Sequence, residues 1–228
     1  MDMVNYITYL SGTEIDYSYM PFDPYNYPNP TEGQTIVIVN QITLEGDEGV
    51  ALFKGCLNTT IDHLDWIDTS QATDFMDMFA NSIHLQEVDL STWNTSNVTR
   101  TTNMFYGCNF VEKINLIGWD VSNLESCTDM FNSCSQLIEI DVTDDSDWLT
   151  DAPNLSDSGG MFSDCWRLPN FYQYITDASR ANTSGGYFTG IWNWSKTAYG
   201  TYEKVNDDWE EIQVYIKDGS WQKTEVYR

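Results

Sequence analysis

The sequence predicts an α/β solenoid in which repeats of about 26 residues place their strands side by side in one parallel sheet. The first basis is the spacing of six phenylalanines, which are separated by 26, 26, 26, 31 and 26 residues. They are Phe53, Phe79, Phe105, Phe131, Phe162 and Phe188. The second basis is the aliphatic pattern that follows them, as in Leu85, Val88 and Leu90. Self-similarity at a fixed period is the signature of a repeat architecture.

The pattern Leu-x-x-Leu-x-Leu is the strand segment of a leucine-rich repeat, in which alternate residues point into the core and the others line an exposed face. Strands of successive repeats are expected ~4.8 Å apart, so that like residues form ladders. The segment ahead of each Met-Phe pair, such as 122–131, starts with a helix-capping Ser and has helical apolar spacing, which predicts a short outer helix. The 31-residue interval indicates a five-residue insertion, placed in a surface loop between Asp144 and Gly160.

The two ends differ from the repeats, and we predict three regions. Residues 1–49 form a Tyr/Pro-rich arm and cap, residues 50–198 the leucine-rich-repeat solenoid, and residues 199–228 an antiparallel β-meander. Four of the six prolines lie in the arm, which favours an extended chain. Within it, the strand-like run 35–44 is expected to cover the open end of the first coil. In the tail, Asp218-Gly219 between alternating apolar residues predicts a hairpin.

Composition and charge exclude several classes of protein. The chain has 35 acidic and 10 basic residues, a net charge of −25, and 41% hydrophobic and 14% aromatic residues. The aromatic content separates it from acidic disordered chains. The charge repels phosphate backbones and anionic bilayers, so we expect no nucleic-acid binding and no membrane insertion. Neither a membrane-spanning apolar run nor a secretory signal is expected from the sequence.

Four cysteines share one repeat position, three residues after a phenylalanine, and Ser82 occupies the same position in one central repeat. The four are Cys56, Cys108, Cys134 and Cys165. Outer helices would hold neighbouring repeats ~8–10 Å apart there, beyond the roughly 7 Å between Cα atoms that a disulfide allows. All five thiols, including Cys127, are therefore expected to be free and buried.

Metal binding, cofactor binding and catalysis find little support in the sequence. The acidic stretch 141–151 lacks the ligand spacing and the glycine of an EF-hand loop, so we expect neither a metal site nor a cofactor. Neither histidine accompanies a nucleophile or an orienting partner in a motif. The register of His63 stays open. Aligning Trp66 with Trp93 turns His63 inward, and ungapped 26-residue spacing turns it outward.

The consensus sequence of the repeats resembles that of a known family. Over roughly residues 50–190 it reads M-F-x-x-C-x-x-L-x-x-L-D-L-x-x-W-D-T-S-x-V-T, which is similar to the BspA-like leucine-rich repeats of bacterial surface proteins and lipoproteins. The resemblance implies a repeat-built protein that attaches to host or neighbouring-cell molecules, and it implies no catalytic residues. The tail unit around Tyr215 and Trp221, V-Y-x-K-D-G-x-W, resembles the C-terminal tails of bacteriophage structural proteins.

Strand residues between the inward aliphatics should project from the exposed face of the sheet, which solenoids commonly use for binding. Continuing the pattern past Leu168 and Phe171 adds Tyr172 to that face. The predicted binding residues are Glu87, Asp89, Lys113, Asn115, Glu139, Asp141 and Tyr172. This mostly acidic ladder is expected to bind a basic or polar partner. The alternative is a solvated face that keeps the protein soluble, and a glycosidase with paired carboxylates is a third hypothesis.

The tail carries more aromatic residues than so short a segment can bury, and we expect them to dock on a neighbouring chain. The predicted docking residues are Trp209, Tyr215, Trp221 and Tyr227. A short meander is only marginally stable in water by itself, so contact with another surface is expected to stabilise it.

These observations predict a non-enzymatic structural and adhesion protein. The first setting is a bacteriophage virion, where a fibre, tail or capsid-decorating protein presents the repeat surface to a host or mucosal ligand. The alternative is a BspA-like adhesin on the bacterial cell surface that binds host proteins or glycans. Expected partners are other virion or surface proteins, a second copy of the chain, and a host-surface protein or glycan. The meander favours the virion. We expect neither an export signal nor an anchor from the sequence, and this expectation also favours the virion.

Overall fold

The fold is taken from a computed structural model. The described residues are 7–10, 35–38, 41–56, 59–191, 201–205, 208–217 and 220–224. The chain divides into two units, Met1–Trp192 and Asn193–Arg228. The strands of the first unit are β1 (Ile7–Leu10), β2 (Thr35–Ile38), β3 (Ile42–Gly46), β4 (Thr60–Asp62), β5 (Ile67–Ala72), β6 (Glu87–Asp89), β7 (Lys113–Asn115), β8 (Glu139–Thr143) and β9 (Thr189–Ile191). Its described helical segments are α1 (Trp148–Asp151) and two 3₁₀ turns, Leu64–Trp66 and Ala178–Arg180.

The first unit is a parallel β-solenoid of about four turns with the predicted repeat of about 26 residues. Strands β6 to β9 form one sheet in chain order, and each neighbouring pair is parallel. Val88 lies opposite Ile114, Ile114 lies opposite Ile140, and all three are buried. Two smaller parallel sheets, β1-β2-β4 and β3-β5, precede this sheet. The prediction of parallel repeats with inward aliphatic ladders is confirmed.

The repeated phenylalanines stack on one another through the core of the solenoid. Neighbouring rings from Phe53 to Phe162 have centroids 5.2 to 5.7 Å apart and planes within 13° of parallel. All of these rings are fully buried. Stacking at this distance is favourable for aromatic pairs and adds to the free energy that burial of each ring contributes. The repeat therefore places each ring beside its equivalent in the next coil, even across the 31-residue interval between Phe131 and Phe162.

The predicted outer helix of each repeat is not formed in the described repeats, and the first unit contains little helix. The segment 122–131 consists of turns around an isolated bridge. Its backbone bonds to the next coil, as when the amide of Phe131 donates to the carbonyl of Met161 at 2.8 Å. Asp129 has a left-handed backbone with φ of 54°, which a right-handed helix excludes. Bonding between coils thus replaces bonding within a helix.

Left-handed residues recur at two positions in each of these arcs. They are Ala51, Asp77, Asn103, Asp129 and Gly160 at the first position, and Gly55, Asn81, Gly107, Ser133 and Asp164 at the second. Gly, Asn and Asp adopt this conformation most readily, because glycine lacks a Cβ and the short polar side chains can bond locally. The repeated Gly, Asn and Asp residues are therefore what bends the chain around each arc.

The five-residue insertion follows β8, and it is more than the predicted surface loop. It contains α1, whose Trp148 is buried, stacks on Trp119 at 6.5 Å and meets Phe188 edge-on at 5.3 Å. Asp147 caps the N-terminus of this helix, and its own amide donates to Asp151 at 2.9 Å. The insertion therefore extends the core, and these two carboxylates bond to the local backbone.

The run 35–44 contributes two strands rather than one. β2 pairs with β4, whereas β3 pairs with β5, so the run supplies two sheets ahead of the first central repeat. Ile36, Ile38 and Leu44 are fully buried, which places apolar side chains beneath the first coil. The Tyr/Pro-rich stretch 11–34 of the predicted arm lies outside the described residues.

The last coil departs from the repeat, and Tyr172 does not lie on the sheet. The strand that pairs with β8 is β9, so turns replace the expected strand through Phe171 and Tyr172. Tyr187 is buried against Phe162, with ring centroids 5.1 Å apart and planes at 85°. Its hydroxyl accepts the amide of Tyr172 at 2.8 Å, which fixes the turn around this residue. The segment between β8 and β9 thereby covers the end of the solenoid core.

The second unit forms the predicted antiparallel meander of β10 (Thr201–Val205), β11 (Asp208–Lys217) and β12 (Ser220–Thr224). Lys217 lies opposite Ser220, on either side of the predicted turn at Asp218-Gly219, which itself lies outside the described residues. Of the predicted docking residues, Trp209 and Tyr215 lie in β11 and Trp221 lies in β12. Their side chains and the whole of Tyr227 lie outside the described part of the chain, so docking stays a prediction.

Candidate binding site on the strand face

An open depression of about 610 Å³ lies on the outer face of the solenoid, between β4 and the strands β6 and β7. Its charged and polar lining residues include Asp62, His63, Asp65, Glu87, Asp89, Lys113 and Asn115. Four of these side chains are carboxylates, and Lys113 is the single lysine or arginine in the lining. The depression is therefore acidic and open to solvent, and it includes four of the predicted binding residues.

The depression exists because the first repeat holds one residue more at this place than the following repeats. The amide of Gln86 donates to the carbonyl of Thr59, 27 residues earlier, where the next coil keeps a spacing of 26. His63, with a left-handed backbone at φ 67°, takes up the extra residue just before Leu64. Within the described sheets, β4 pairs with β2 and not with β6, so the ladder is interrupted here. The gap at this interruption is the depression.

The same irregularity resolves the orientation of His63. The side chain is exposed, as the ungapped 26-residue spacing predicts, and the alternative alignment of Trp66 with Trp93 is wrong. Trp66 is 40% exposed, whereas Trp93 is buried. The rings of His63 and Trp66 stack with centroids 4.5 Å apart, and His63 Nδ1 lies 3.9 Å from Asp65 Oδ1. An aromatic surface thus borders the carboxylates, an arrangement that suits a cationic group.

Lys113 divides the predicted acidic ladder into a neutralised half and an exposed half. In the register of the sheet it lies between Glu87 and Glu139. Its Nζ is 3.1 Å from Glu139 Oε2 and 2.7 Å from Asp141 Oδ2. The hydrogen bond to Asp141, together with that to Glu139, raises the pKa of Lys113. Glu139 and Asp141 therefore already have a cationic partner, while Glu87 and Asp89 are exposed beside the depression.

Asp141 is buried, so the prediction that it projects from the exposed face is wrong. Strands β6 and β7 end at Asp89 and Asn115, whose side chains accept the amide two residues further on. β8 instead continues to Thr143 and pairs with β9, and no described donor bonds to Asp141 Oδ1. Burial raises the pKa of Asp141, although its hydrogen bond with Lys113 acts in the opposite direction. Burial thus disfavours ionisation of this carboxyl and removes it from the exposed strand face.

Three of the repeat cysteines connect neighbouring coils through hydrogen bonds that their thiols donate to backbone carbonyls. Cys108 Sγ donates to the carbonyl of Phe79 at 3.0 Å, and Ser82 Oγ makes the equivalent bond to the carbonyl of Phe53 at 2.7 Å. All five cysteines are free and buried, as predicted. The predicted reason is wrong, because the described repeats form no outer helices and their coils lie at strand spacing, ~4.8 Å. That spacing would permit a disulfide between neighbouring coils, but the thiols of Cys108, Cys134 and Cys165 each donate to a carbonyl of the preceding coil instead.

We expect the thiols to resist alkylation in the native protein and to react fully after denaturation. Burial raises the pKa of Cys108 and of Cys127 to about 12 each, and it raises the pKa values of Cys134 and Cys165 as well. The reactive thiolate is therefore scarce at neutral pH, and reagents cannot reach it. Mass spectrometry after iodoacetamide treatment without reductant should show no labels before denaturation and five afterwards. Rapid native labelling, or a disulfide, would contradict the packing described.

Within the described ranges, no group of three or more His, Cys, Asp or Glu side chains is arranged to hold a metal ion. None of the described helices combines the length and the apolar composition needed to cross a membrane. In the stretch 141–151, which the sequence singled out as acidic, Asp147 and Asp151 bond to the backbone of α1 and of its N-terminal cap.

The repeats match one known family. Residues 50–176 match the family described as Mycoplasma protein of unknown function, DUF285. The chain belongs to this family. The DUF285 family is related to the BspA-like repeat proteins, whose repeats the sequence resembles. No curated protein and no solved structure is significantly similar to the chain. The DUF285 region includes the depression on the strand face and ends before Tyr187 and the meander.

Within the DUF285 region, the structure assembles part of the predicted site and adds to it. The predicted residues that line the depression are Glu87, Asp89, Lys113 and Asn115. Glu139 is bound to Lys113, whereas Asp141 is buried and Tyr172 lies on a turn of the last coil, outside the sheet. Asp62 and Asp65 were not among the predicted site residues. They line the depression because this repeat contains one extra residue, which His63 accommodates with its left-handed backbone. One signal of this extra residue is present in the sequence: Trp66 could be aligned either with Trp93 or by ungapped 26-residue spacing.

Proposed function

We propose that this DUF285 protein is a non-enzymatic recognition and adhesion protein that binds a basic segment of a partner protein in the depression on the strand face. The observation that carries the proposal is the pairing of four carboxylates with an exposed aromatic stack. These residues are Asp62, Asp65, Glu87 and Asp89, beside His63 and Trp66. A lysine or arginine side chain can bond to carboxylates while its cation lies against an aromatic face.

The shape of the site supports binding rather than catalysis. The depression is open, and its floor is a parallel sheet whose inward residues, such as Val88, are packed in the core. Enzymes that cleave glycans place two carboxyl groups on either side of the glycosidic bond of an enclosed sugar. An exposed sheet face instead offers an extended surface for a partner, as repeat proteins commonly do.

We place the protein on a bacteriophage particle, as a fibre, tail or capsid-decorating component. The antiparallel meander supports this setting, since the tail sequence resembles those of phage structural proteins. The alternative is the bacterial cell surface, which the relation of the DUF285 family to BspA-like proteins supports. Mass spectrometry of purified phage particles, compared with protease shaving of intact bacteria, distinguishes the two. Detection in particles supports the first setting, and release from intact cells supports the alternative.

The variant Glu87→Lys with Asp89→Asn is expected to weaken binding of an oligolysine peptide by about tenfold or more at low salt. It gives β6 the residues that β7 already holds at the equivalent positions, Lys113 and Asn115, so the sheet is preserved. The wild-type protein should lose affinity for the peptide as salt rises, because the interaction is between opposite charges. Isothermal titration calorimetry or fluorescence anisotropy measures both effects.

The matched control is Glu125→Lys with Asp157→Ser, which changes the net charge by the same amount in another groove of the solenoid. It should bind oligolysine like the wild type apart from a small effect of overall charge. Equal losses in the two variants would mean that the peptide responds only to the total charge of the protein. That result would contradict a binding site at the depression.

A further inference from the structure

One edge of the solenoid carries half of the exposed large apolar side chains of the described residues. Among the described residues, eight large apolar side chains are exposed. Four of these lie in the segments that lead from the phenylalanine arc to the strand, namely Tyr106, Phe110, Ile138 and Trp166. Tyr172 and Tyr174 follow the last of these segments. We define the apolar edge as residues 80–86, 106–112, 132–138 and 163–169, which are equivalent segments of four successive repeats.

The apolar edge is nearly neutral in a strongly acidic protein. Its acids are Glu112 and Asp164 and its one basic residue besides His84 is Arg167, which gives a net charge of −1, compared with −25 for the chain. At the average density of the chain, about four acids would fall among these 28 residues. The strand face contrasts with this edge, because four carboxylates line a single depression there. Low charge and exposed aromatic rings therefore coincide on one side of the solenoid.

The exposed rings of the apolar edge are held in place by their neighbours. Phe110, 58% exposed, stacks on His84 with ring centroids 6.2 Å apart. Trp166, 55% exposed, meets Phe171 edge-on at 5.7 Å. Between them, Arg167 Nη1 donates to the side-chain oxygen of Gln136 at 2.7 Å. Surfaces fixed in this way lose little conformational entropy when they bind, and aromatic and arginine side chains dominate the centres of protein interfaces.

We propose that the apolar edge is the surface through which two copies of this chain associate. Two chains of charge −25 repel each other, and the repulsion is smallest where the facing surfaces carry the least charge. A two-fold arrangement brings the same edge of both copies together, so that each exposed ring meets an apolar surface. The edge is short, since its four segments span only ~15 Å at strand spacing, and the dimer is accordingly a weak one.

The dependence on salt separates this association from binding at the strand face. Salt screens charges beyond a Debye length of ~10 Å at 0.1 M, so it reduces the repulsion between two acidic copies. Apolar contacts do not weaken with screening. Self-association through the apolar edge therefore strengthens as salt rises, whereas binding of a basic segment at the depression weakens. Peptide binding at the depression and self-association through the apolar edge are measured separately, so either proposal can fail without affecting the other.

The test is sedimentation equilibrium of the full chain at concentrations from about 10 to about 500 µM, at low and high salt. The variant is Phe110→Gln with Trp166→Ser, which installs the residues that the adjacent repeats hold at these positions, Gln136 and Ser135. Repeat-equivalent residues keep the coils folded, and circular dichroism checks this. The control is Leu149→Ser, which removes an apolar side chain that is 56% exposed outside the apolar edge.

We expect the wild type and Leu149→Ser to dimerise and to dimerise more strongly at high salt. The double variant should stay monomeric over the same concentrations. Three results would overturn the proposal: a monomeric wild type throughout, a dimer that the double variant retains, or a dimer that dissociates as salt rises. A dimer retained by the double variant would assign the contact to another surface, and dissociation by salt would assign it to charge pairing.

Discussion

Replacing Phe105 with alanine is expected to lower the free energy of unfolding by about 3–5 kcal/mol. The ring is fully buried and stacks between Phe79 and Phe131, with centroids 5.2 and 5.7 Å away. Its removal deletes contacts on both sides and leaves a cavity. The flanking coils cannot close this cavity, because backbone bonds such as that from the amide of Phe79 to the carbonyl of Met104 hold them in register. Denaturant unfolding followed by circular dichroism measures the loss.

The central position of Phe105 adds a second expected effect. Each repeat of a solenoid contacts only its neighbours, so a weakened contact in the middle uncouples the two halves and broadens the unfolding transition. Leu149→Ala is the control, because this side chain is 56% exposed and its loss should change stability by less than about 0.5 kcal/mol. A Phe105→Ala variant no less stable than this control would show that the ring ladder does not stabilise the fold.

Tyr187→Ala is expected to cost a similar amount, about 3–5 kcal/mol, by opening the C-terminal end of the solenoid. Tyr187 covers the last ring of the ladder, Phe162, and also contacts Phe171 at 5.7 Å. Its hydroxyl accepts the amide of Tyr172 and lies 3.0 Å from the carbonyl of Ile175. Without this side chain the turn around Tyr172 loses its anchor, so limited proteolysis should cut there first. Thermal unfolding gives the change in stability.

Tyr187→Phe separates the hydroxyl from the ring. It keeps the aromatic contacts but leaves the amide of Tyr172 without its partner, at a cost of about 1–3 kcal/mol. Tyr174→Ala is the control, because that side chain is 76% exposed and should matter little. If Tyr187→Ala and Tyr174→Ala unfold at the same temperature, then the end of the solenoid is stabilised by something other than Tyr187.

The repeat, the parallel sheet and the inward ladders could be predicted, because they depend on a period that is visible in the residues themselves. Val88, Ile114 and Ile140 recur at fixed spacing and therefore stack. The outer helices were wrong for a physical reason. The apolar spacing in 122–131 fits both a helix and the turns that the structure shows. The left-handed backbone of Asp129 distinguishes the two, because a right-handed helix excludes it. There the amide of Asp129 donates to the carbonyl of Gly159 in the next coil rather than within a helix.

The candidate site could be predicted less well, because the depression forms where the period fails. Glu87 and Asp89 follow from strand alternation and are exposed as expected. The burial of Asp141 could not be foreseen, since it results from β9 pairing with β8 after a detour of the chain. The contribution of Asp62 likewise depends on one extra residue in the first repeat. Departures from a repeat are set by contacts between distant segments, which spacing alone does not reveal.

The equivalence of Ser82 to the repeat cysteines has a consequence for where this fold can exist. A hydroxyl serves as well as a thiol because the position needs a small donor to the carbonyl of the preceding coil, and Cys134 donates to Phe105 in the same way. No covalent bond between sulfurs contributes to the fold. The solenoid can therefore assemble in the reducing interior of a cell and persist in oxidising surroundings without any change in its covalent structure.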